Sequence, residues 1–305
     1  MDYNDIMLWI ILAVLAPLLY SFTNYFQKYL IDKKIKHPLN IIILGGFFSL
    51  IVSISIFLYK GSISASSGHP LLLVLAGIFA LLYLIPYFKA LSLDDASRVA
   101  PLFQFTPIIV LVLSRIFLHE QLVTTQIIAF FCILLGGFIL GIEKDTSGVF
   151  KPRKSFWFMM LSCTFDGIIG ILFKYAQVQN DYWLSLAYLE LGVGIAASCS
   201  LLLPTVRRDF LIEIPKIKHT TWGLLLSNKI IDFSAGLSML YAMLLAPVAL
   251  VTVINGIQPL FLLLEGLILT AWFPHIIKED TDKKTVLVKL LSVGLFFSGI
   301  FLLSK

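Results

Sequence analysis

The chain has 305 residues, 59% of them hydrophobic and 13% charged, with a mean hydropathy of +0.94 and a net charge of +5. A soluble domain is about 25% charged, so these figures exclude an appended soluble enzyme domain, a disordered chain and a disulfide-rich secreted one. A basic balance can signal nucleic acid. No basic patch is set among aromatics here, so no nucleic-acid partner is expected and the basic loops are read as facing anionic lipid headgroups.

Taken in chain order, the apolar runs predict ten membrane-spanning helices. They lie near residues 6–29, 39–59, 70–92, 95–118, 121–142, 155–177, 182–204, 221–245, 247–273 and 285–303. A spanning helix needs about 20 residues, and these runs are too long and too evenly apolar for barrel strands. The first run is flanked by Asp2 and Asp5, where a secretory signal would carry Lys or Arg, so it is expected to stay as the first span. Two junctions, Leu93-Asp94-Asp95-Ala96 and Leu245-Ala246-Pro247, are short enough to be helical hairpins at the bilayer surface.

A polar stretch, 144–154, divides the chain into residues 1–143 and 155–305, with five spans in each. The halves echo each other. Pro107 follows VAPLFQFT and Pro259 follows VTVINGIQ, and both precede long aliphatic runs. Lys28-Tyr29 closes the first span and Lys174-Tyr175 the sixth, while Glu120 and Glu279 lie in the links to the fifth and tenth. The reading is an internal duplication. Five is odd, so the second copy enters the bilayer from the other side, giving the inverted repeat of many secondary transporters. The expected fold is an all-α integral membrane protein of two inverted five-helix repeats. Lys and Arg crowd one side, as at Lys33, Lys34, Arg153, Lys154, Arg207 and Arg208. By the positive-inside rule that side is cytoplasmic. Ten spans then put both termini outside, in a multi-pass protein of the cell membrane.

Residues 87–140 resemble the end of an EamA domain. Ala90-Leu91 near the end of the third helix, Pro107 in the fourth, Leu118-His119-Glu120 and the Gly136-Gly137 pair of the fifth occupy that family's positions. Ala242, Pro259, Glu279 and Gly294 repeat the pattern, although the link AWFPHIIKEDTDKK is longer than the compact family form. The resemblance covers essentially the whole chain as two copies. It implies the drug/metabolite transporter superfamily, with ten helices around a central cavity and substrates among amino acids, other metabolites and drugs. It also implies termini in the cytoplasm, as in many ten-span members. The charges argue the reverse, and are followed here.

Charged groups inside a bilayer cost about 2.5–3.5 kcal/mol even on lenient scales, so each calls for a reason. The eighth span holds Asn228, Lys229 and Asp232 on one face. The sequence reading makes them the core of a substrate site, with Lys229 available to an anionic substrate group or to Asp232. Asp166, Glu190, Glu265 and Asp232 are the proton-coupling candidates. Gln104, Asn255 and Gln258 precede the two repeated prolines, which free a backbone carbonyl one turn back. Together with Asn24 and Tyr87 they are candidate cavity residues.

The structural alternatives are an ion pair that orients helices, local repair of a proline kink and simple packing. Cys132, Cys163 and Cys199 lie in apolar runs, and the five histidines fall in loops or span ends without metal spacing, so no metal or cofactor is expected. No P-loop or GxGxxG is present.

The function expected from all this is secondary, non-ATP transport, not catalysis. A small polar or zwitterionic, amino-acid-like metabolite or drug would cross by alternating access, with protons as possible co-substrate and a monomer as the working unit. The alternatives are a lipid flippase or lipid-acting enzyme, and a non-transporting assembly or sensor subunit.

Overall fold

A computed structural model describes residues 3–35, 38–61, 68–91, 93, 100–141, 154–177, 181–258, 260–262, 264–265 and 283–303. Among these residues the chain is helical, with no strand. The helices are α1 (Tyr3–Lys33), α2 (Pro38–Lys60), α3 (Pro70–Leu82), α4 (Leu84–Leu91), α5 (Phe105–Phe117) and α6 (Thr124–Gly141), then α7 (Lys154–Tyr175), α8 (Tyr182–Ser200), α9 (Pro204–Glu213), α10 (His219–Leu245), α11 (Val248–Asn255) and α12 (Lys283–Leu303). Five stretches are long and apolar enough to cross a membrane: Ile6–Gln27, Leu39–Lys60, Pro70–Ala90, Lys154–Tyr175 and Tyr182–Ser200. Shorter apolar helices include Leu102–Phe117, Thr124–Gly137 and Val293–Leu303. Helix α10 has 27 residues, about 40 Å at 1.5 Å per residue, but its polar middle makes it less apolar than those five.

The departures from the expected spans have local causes. The third span breaks between α3 and α4 at Tyr83, because Pro86 has no N–H for the carbonyl of Leu82 and its ring crowds that turn. The fourth opens as a 3-10 turn, Ala100–Gln104, and becomes α-helical at Phe105. Pro107 therefore stands in the first turn of α5, where a missing N–H costs little, and not as the mid-helix kink the sequence suggested. The ninth span stops at Asn255, turns at Gly256 and Ile257, and becomes helical again at Gln258. The connection between the seventh and eighth spans, expected as a loop, contains α9. The short junction at Ala246-Pro247 is as expected, with Pro247 opening α11. Pro259, Glu279, Asp94 and most of the 144–154 linker lie outside the described residues.

The chain forms two compact units. The first is Met1–Phe22, Pro86–Thr164 and Ser234–Lys305; the second is Thr23–Ile85 and Phe165–Phe233. Each draws on both sequence halves, and the dividing points fall within α1, within the first turn of α4, within α7 and within α10.

In the second unit α8 runs along α2 and α3. Its backbone meets α3 at two glycines. A Cβ on Gly77 would collide with the Leu189 carbonyl, and one on Gly192 with the Val74 carbonyl. Small residues let membrane helices approach this closely. Against α2, Gly46 faces Ala197, and Ser53 Oγ donates to the Ala187 carbonyl at 2.7 Å.

The ends of this unit are fastened by polar contacts. Lys60, at the end of α2, pairs with Asp181, whose carboxylate also caps α8 through the N–H groups of Trp183 (2.9 Å) and Leu184 (3.2 Å). Burial alone would raise the Asp181 carboxyl. Its hydrogen bond and charge interaction with Lys60, and the two backbone N–H groups, outweigh burial and hold it below the usual carboxylate range. At the opposite end Asn40 donates to Glu213 at 2.5 Å, and Phe47 packs edge-on against Phe210 at 6.1 Å, docking α9 on α2.

In the first unit α6 packs on α12, with Gly299 against Ile133 and the Ala129 carbonyl, and α5 packs on α11. The Leu118-His119-Glu120 motif has a structural role here. His119 takes a φ of 53°, in the left-handed region that side chains seldom adopt. The bend brings Glu120 Oε2 within 3.0 Å of the Val248 N–H, at the positive first turn of α11. A charge-assisted hydrogen bond of this kind contributes about 1.5–3 kcal/mol. Glu120→Ala should therefore lower the unfolding free energy by about 2 kcal/mol. Denaturation of the purified protein checks this, and an unchanged stability would show that the bond does not hold α11.

Candidate functional site

Four of the five charged candidates, Asp166, Glu190, Lys229 and Asp232, lie in the second unit, and Glu265 lies in the first. Lys229 Nζ pairs with Asp232 Oδ2 at 2.9 Å, one helical turn on in α10. Glu190 of α8 acts electrostatically on both. The Lys229 chain lies over Gly45 of α2: a Cβ there would sit 3.6 Å from its Cε and 3.7 Å from its Nζ. The lysine chain thus lies in van der Waals reach of α2 at Gly45. Ser49, one turn further along α2, neighbours Glu190, but its Oγ has no hydrogen bond of ordinary geometry. Asn228, 4% exposed, leaves its Oδ1 without a partner. Phe48 packs edge-on against Phe233 at 6.0 Å beside these groups.

The depths agree. Asn228, Lys229 and Asp232 fall at the middle of α10, Glu190 at the middle of α8, and Gly45 and Ser49 in the middle turns of α2. Three helices thus place one cation, two carboxylates and the unpartnered Asn228 carbonyl oxygen at mid-helix. Lys229 and Asp232 keep 26% and 29% of their side-chain surface exposed, whereas Glu190 is 8% exposed. The pair is reachable and the third charge is enclosed. Asn24 and Asp166 belong to this same unit and are half-buried.

The amide candidates gather in the first unit. Gln104, at the junction of the 3-10 turn with α5, donates from Nε2 to the Gly256 carbonyl at 3.2 Å. Its amide lies against two glycines, since a Cβ on Gly137 or on Gly256 would come within 2.6 or 2.7 Å of Oε1. The amide therefore joins α5 to α6 and to the break after α11, one of the repairs expected of it. Oε1 itself, Thr106 Oγ1 and Asn255 Oδ1 are buried without hydrogen-bond partners. Gln258 is half-buried just past the break.

Glu265 is 7% exposed, and its Oε1 is hydrogen-bonded with Ser21 Oγ, while Oε2 has no partner. Tyr87 lies in an apolar cluster with Phe103, Ala90, Met159 and Cys163, its ring 5.1 Å from that of Phe103. Its surroundings are those of a packing residue.

Ser49 and Gly45 were not singled out from sequence. A serine inside an apolar run carries no charge to betray it. The available signal was the four-residue spacing of Gly45, Ser49 and Ser53 on one face of α2. Among the described residues no group of three His, Cys, Asp or Glu could hold a metal ion.

Residues 7–142 match the profile of the EamA-like transporter family. A solved crystal structure is similar over 99% of this chain and 96% of its own, with a TM-score of 0.67 and 15% sequence identity, a likeness that shows the fold alone. No curated protein sequence matches.

Proposed function

We propose, from the match of residues 7–142 to the EamA-like transporter family, that this multi-pass membrane protein is a transporter that moves a small polar or zwitterionic metabolite by alternating access. The observation that carries the reading is the mid-helix cluster of Lys229, Asp232 and Glu190 beside the unpartnered Asn228 amide. Ionisable groups at that depth are rare outside substrate and ion pathways. Asn228, Lys229 and Asp232 form the core of the site. Glu190, Asp232, Asp166 and Glu265 are the carboxyls available to couple protons.

The duplication is supported by the way each compact unit takes corresponding pieces of both halves, with dividing points in the first and third spans matched by others in the sixth and eighth. Interrupted helices at Gln104 and Asn255, in matching places of the two halves, fit a transporter built from repeats. Orientation follows the charges. In the second unit Arg207, Arg208, Lys216 and Lys218 lie exposed beyond one end of α8, while Lys60, at the other end, is neutralised by Asp181. The basic end is cytoplasmic on this reading, in a cell-membrane protein acting as a monomer.

Flux into proteoliposomes with and without a pH gradient tests the mechanism. Accumulation that rises with an imposed gradient and fails in Asp232→Asn is expected. Accumulation unchanged by the gradient would remove proton coupling, and a lipid-scrambling activity without solute flux would replace the transporter reading by a lipid-handling one.

A further inference from the structure

We infer that the cluster on α2, α8 and α10 binds the ammonium end of an amine, so that the substrate class is an amine-bearing metabolite and the group held here is a cation, not a carboxylate. This rests on the reading of the cluster as the substrate site and deepens it.

Charge is the first reason. With all three groups ionised, Lys229 faces Asp232 and Glu190, and one negative charge is left in excess. The lysine is committed. Its Nζ is 2.9 Å from Asp232, and its chain lies against Gly45 of α2. No positive charge in the cluster remains to meet an incoming anion. A carboxylate entering here would face two others at mid-membrane depth, where like charges are held apart at high cost.

Hydrogen-bonding capacity is the second reason, independent of the first. An ammonium offers three donors and a carboxylate about four acceptor sites. Lys229 therefore cannot satisfy two carboxylates. Asn228 Oδ1 adds a further acceptor, in a side chain 4% exposed, and it has no donor. It stands on the same helix face as Asp232, one turn away. The deficit is in donors and in positive charge, and a primary ammonium supplies both. Asp232, 29% exposed, is the carboxylate an incoming amine can reach.

The test uses three probes of one shape: phenethylamine, phenylacetate and 2-phenylethanol, measured by thermal stabilisation of the purified full-length protein. The amine is expected to raise Tm at concentrations at least about tenfold lower than the acid or the alcohol. The variant carrying both Asp232→Asn and Glu190→Gln turns the excess charge from negative to positive. It should lose the response to phenethylamine and gain one to phenylacetate, an outcome that misfolding cannot produce. Equal or better stabilisation by the acid or the alcohol, none by the amine, or an amine preference kept in the double variant would overturn the inference. Solute flux abolished by Asp232→Asn, found together with any of these results, would retain the transporter reading and remove only the amine assignment.

Discussion

Lys229→Met should destabilise the protein by about 3 kcal/mol and abolish transport. Methionine keeps the length and the apolar stem but removes the charge that separates Asp232 from Glu190. Removing one partner of a buried ion pair costs 3–5 kcal/mol, because the other charge stays behind without compensation. The side chains of Lys229 and Asp232 are about a quarter exposed, so the lower end of that range applies. Thermal unfolding in detergent measures it. The double variant Lys229→Met with Asp232→Asn should recover much of the loss, since only Glu190 then remains charged, and the cycle of four proteins isolates the pair. A single variant as stable as the parent would mean that the lysine is not what neutralises this cluster.

The second large effect lies in the packing that sets the cluster's depth. Gly192→Leu, or Gly77→Leu, should cost 3 kcal/mol or more, at the upper end of what overpacking usually produces. At both sites the new Cβ meets backbone, the carbonyl of Val74 or of Leu189, and a helix backbone cannot rotate away as a side chain can. The helices α3 and α8 would have to separate, and α8 carries Glu190. Loss of transport with loss of stability is expected. Gly223→Ala in α10 is the control: nothing lies within 4 Å of its added Cβ, and replacing a helical glycine should change little or stabilise by up to about 1 kcal/mol. Equal behaviour of Gly192 and Gly223 variants would contradict the close contact of α3 with α8.

The residues behind these two predictions were not equally visible in the sequence. Lys229 and Asp232 stood out because charge inside an apolar run is expensive, and their four-residue neighbourhood on one helix face already implied a pair. Glu190 was visible for the same reason, but which helix faced it was not, since nothing in one sequence pairs α8 with α2. Gly77 and Gly192 could not be told from the many other glycines, because close approach is a property of two helices. Length and hydropathy located the five stretches that are long and apolar enough, among the described residues, to cross a membrane. The break at Tyr83 follows from Pro86, a single residue whose effect is one turn away and easily passed over in an apolar stretch. Pro107 was misplaced for the opposite reason. A proline inside a long apolar run looks like a kink, but the run begins as a 3-10 turn, and the proline falls in the first α-helical turn. The α9 helix escaped notice because its exposed side carries Arg207, Arg208, Leu211 and Ile212, a mixture that reads as a loop.

The two groups of candidates also separate by chemistry. Charged residues at Glu190, Lys229 and Asp232 belong to one compact unit, and the amides of Gln104, Asn255 and Gln258 to the other. The amides stand at helix interruptions, where free carbonyls need donors, and Gln104 meets that need at Gly256. The charges stand in uninterrupted helix, where the backbone needs nothing from them. The charged group therefore has the weaker structural explanation and the stronger claim to bind a substrate.

The most direct measurement of that claim is the thermal stabilisation of the purified protein across a panel of polar metabolites, with Asp232→Asn measured beside the parent. The account predicts at least one metabolite that stabilises the parent and fails to stabilise the variant. A metabolite that stabilises both equally would place the binding site away from α10 and contradict the central role given to Lys229 and Asp232.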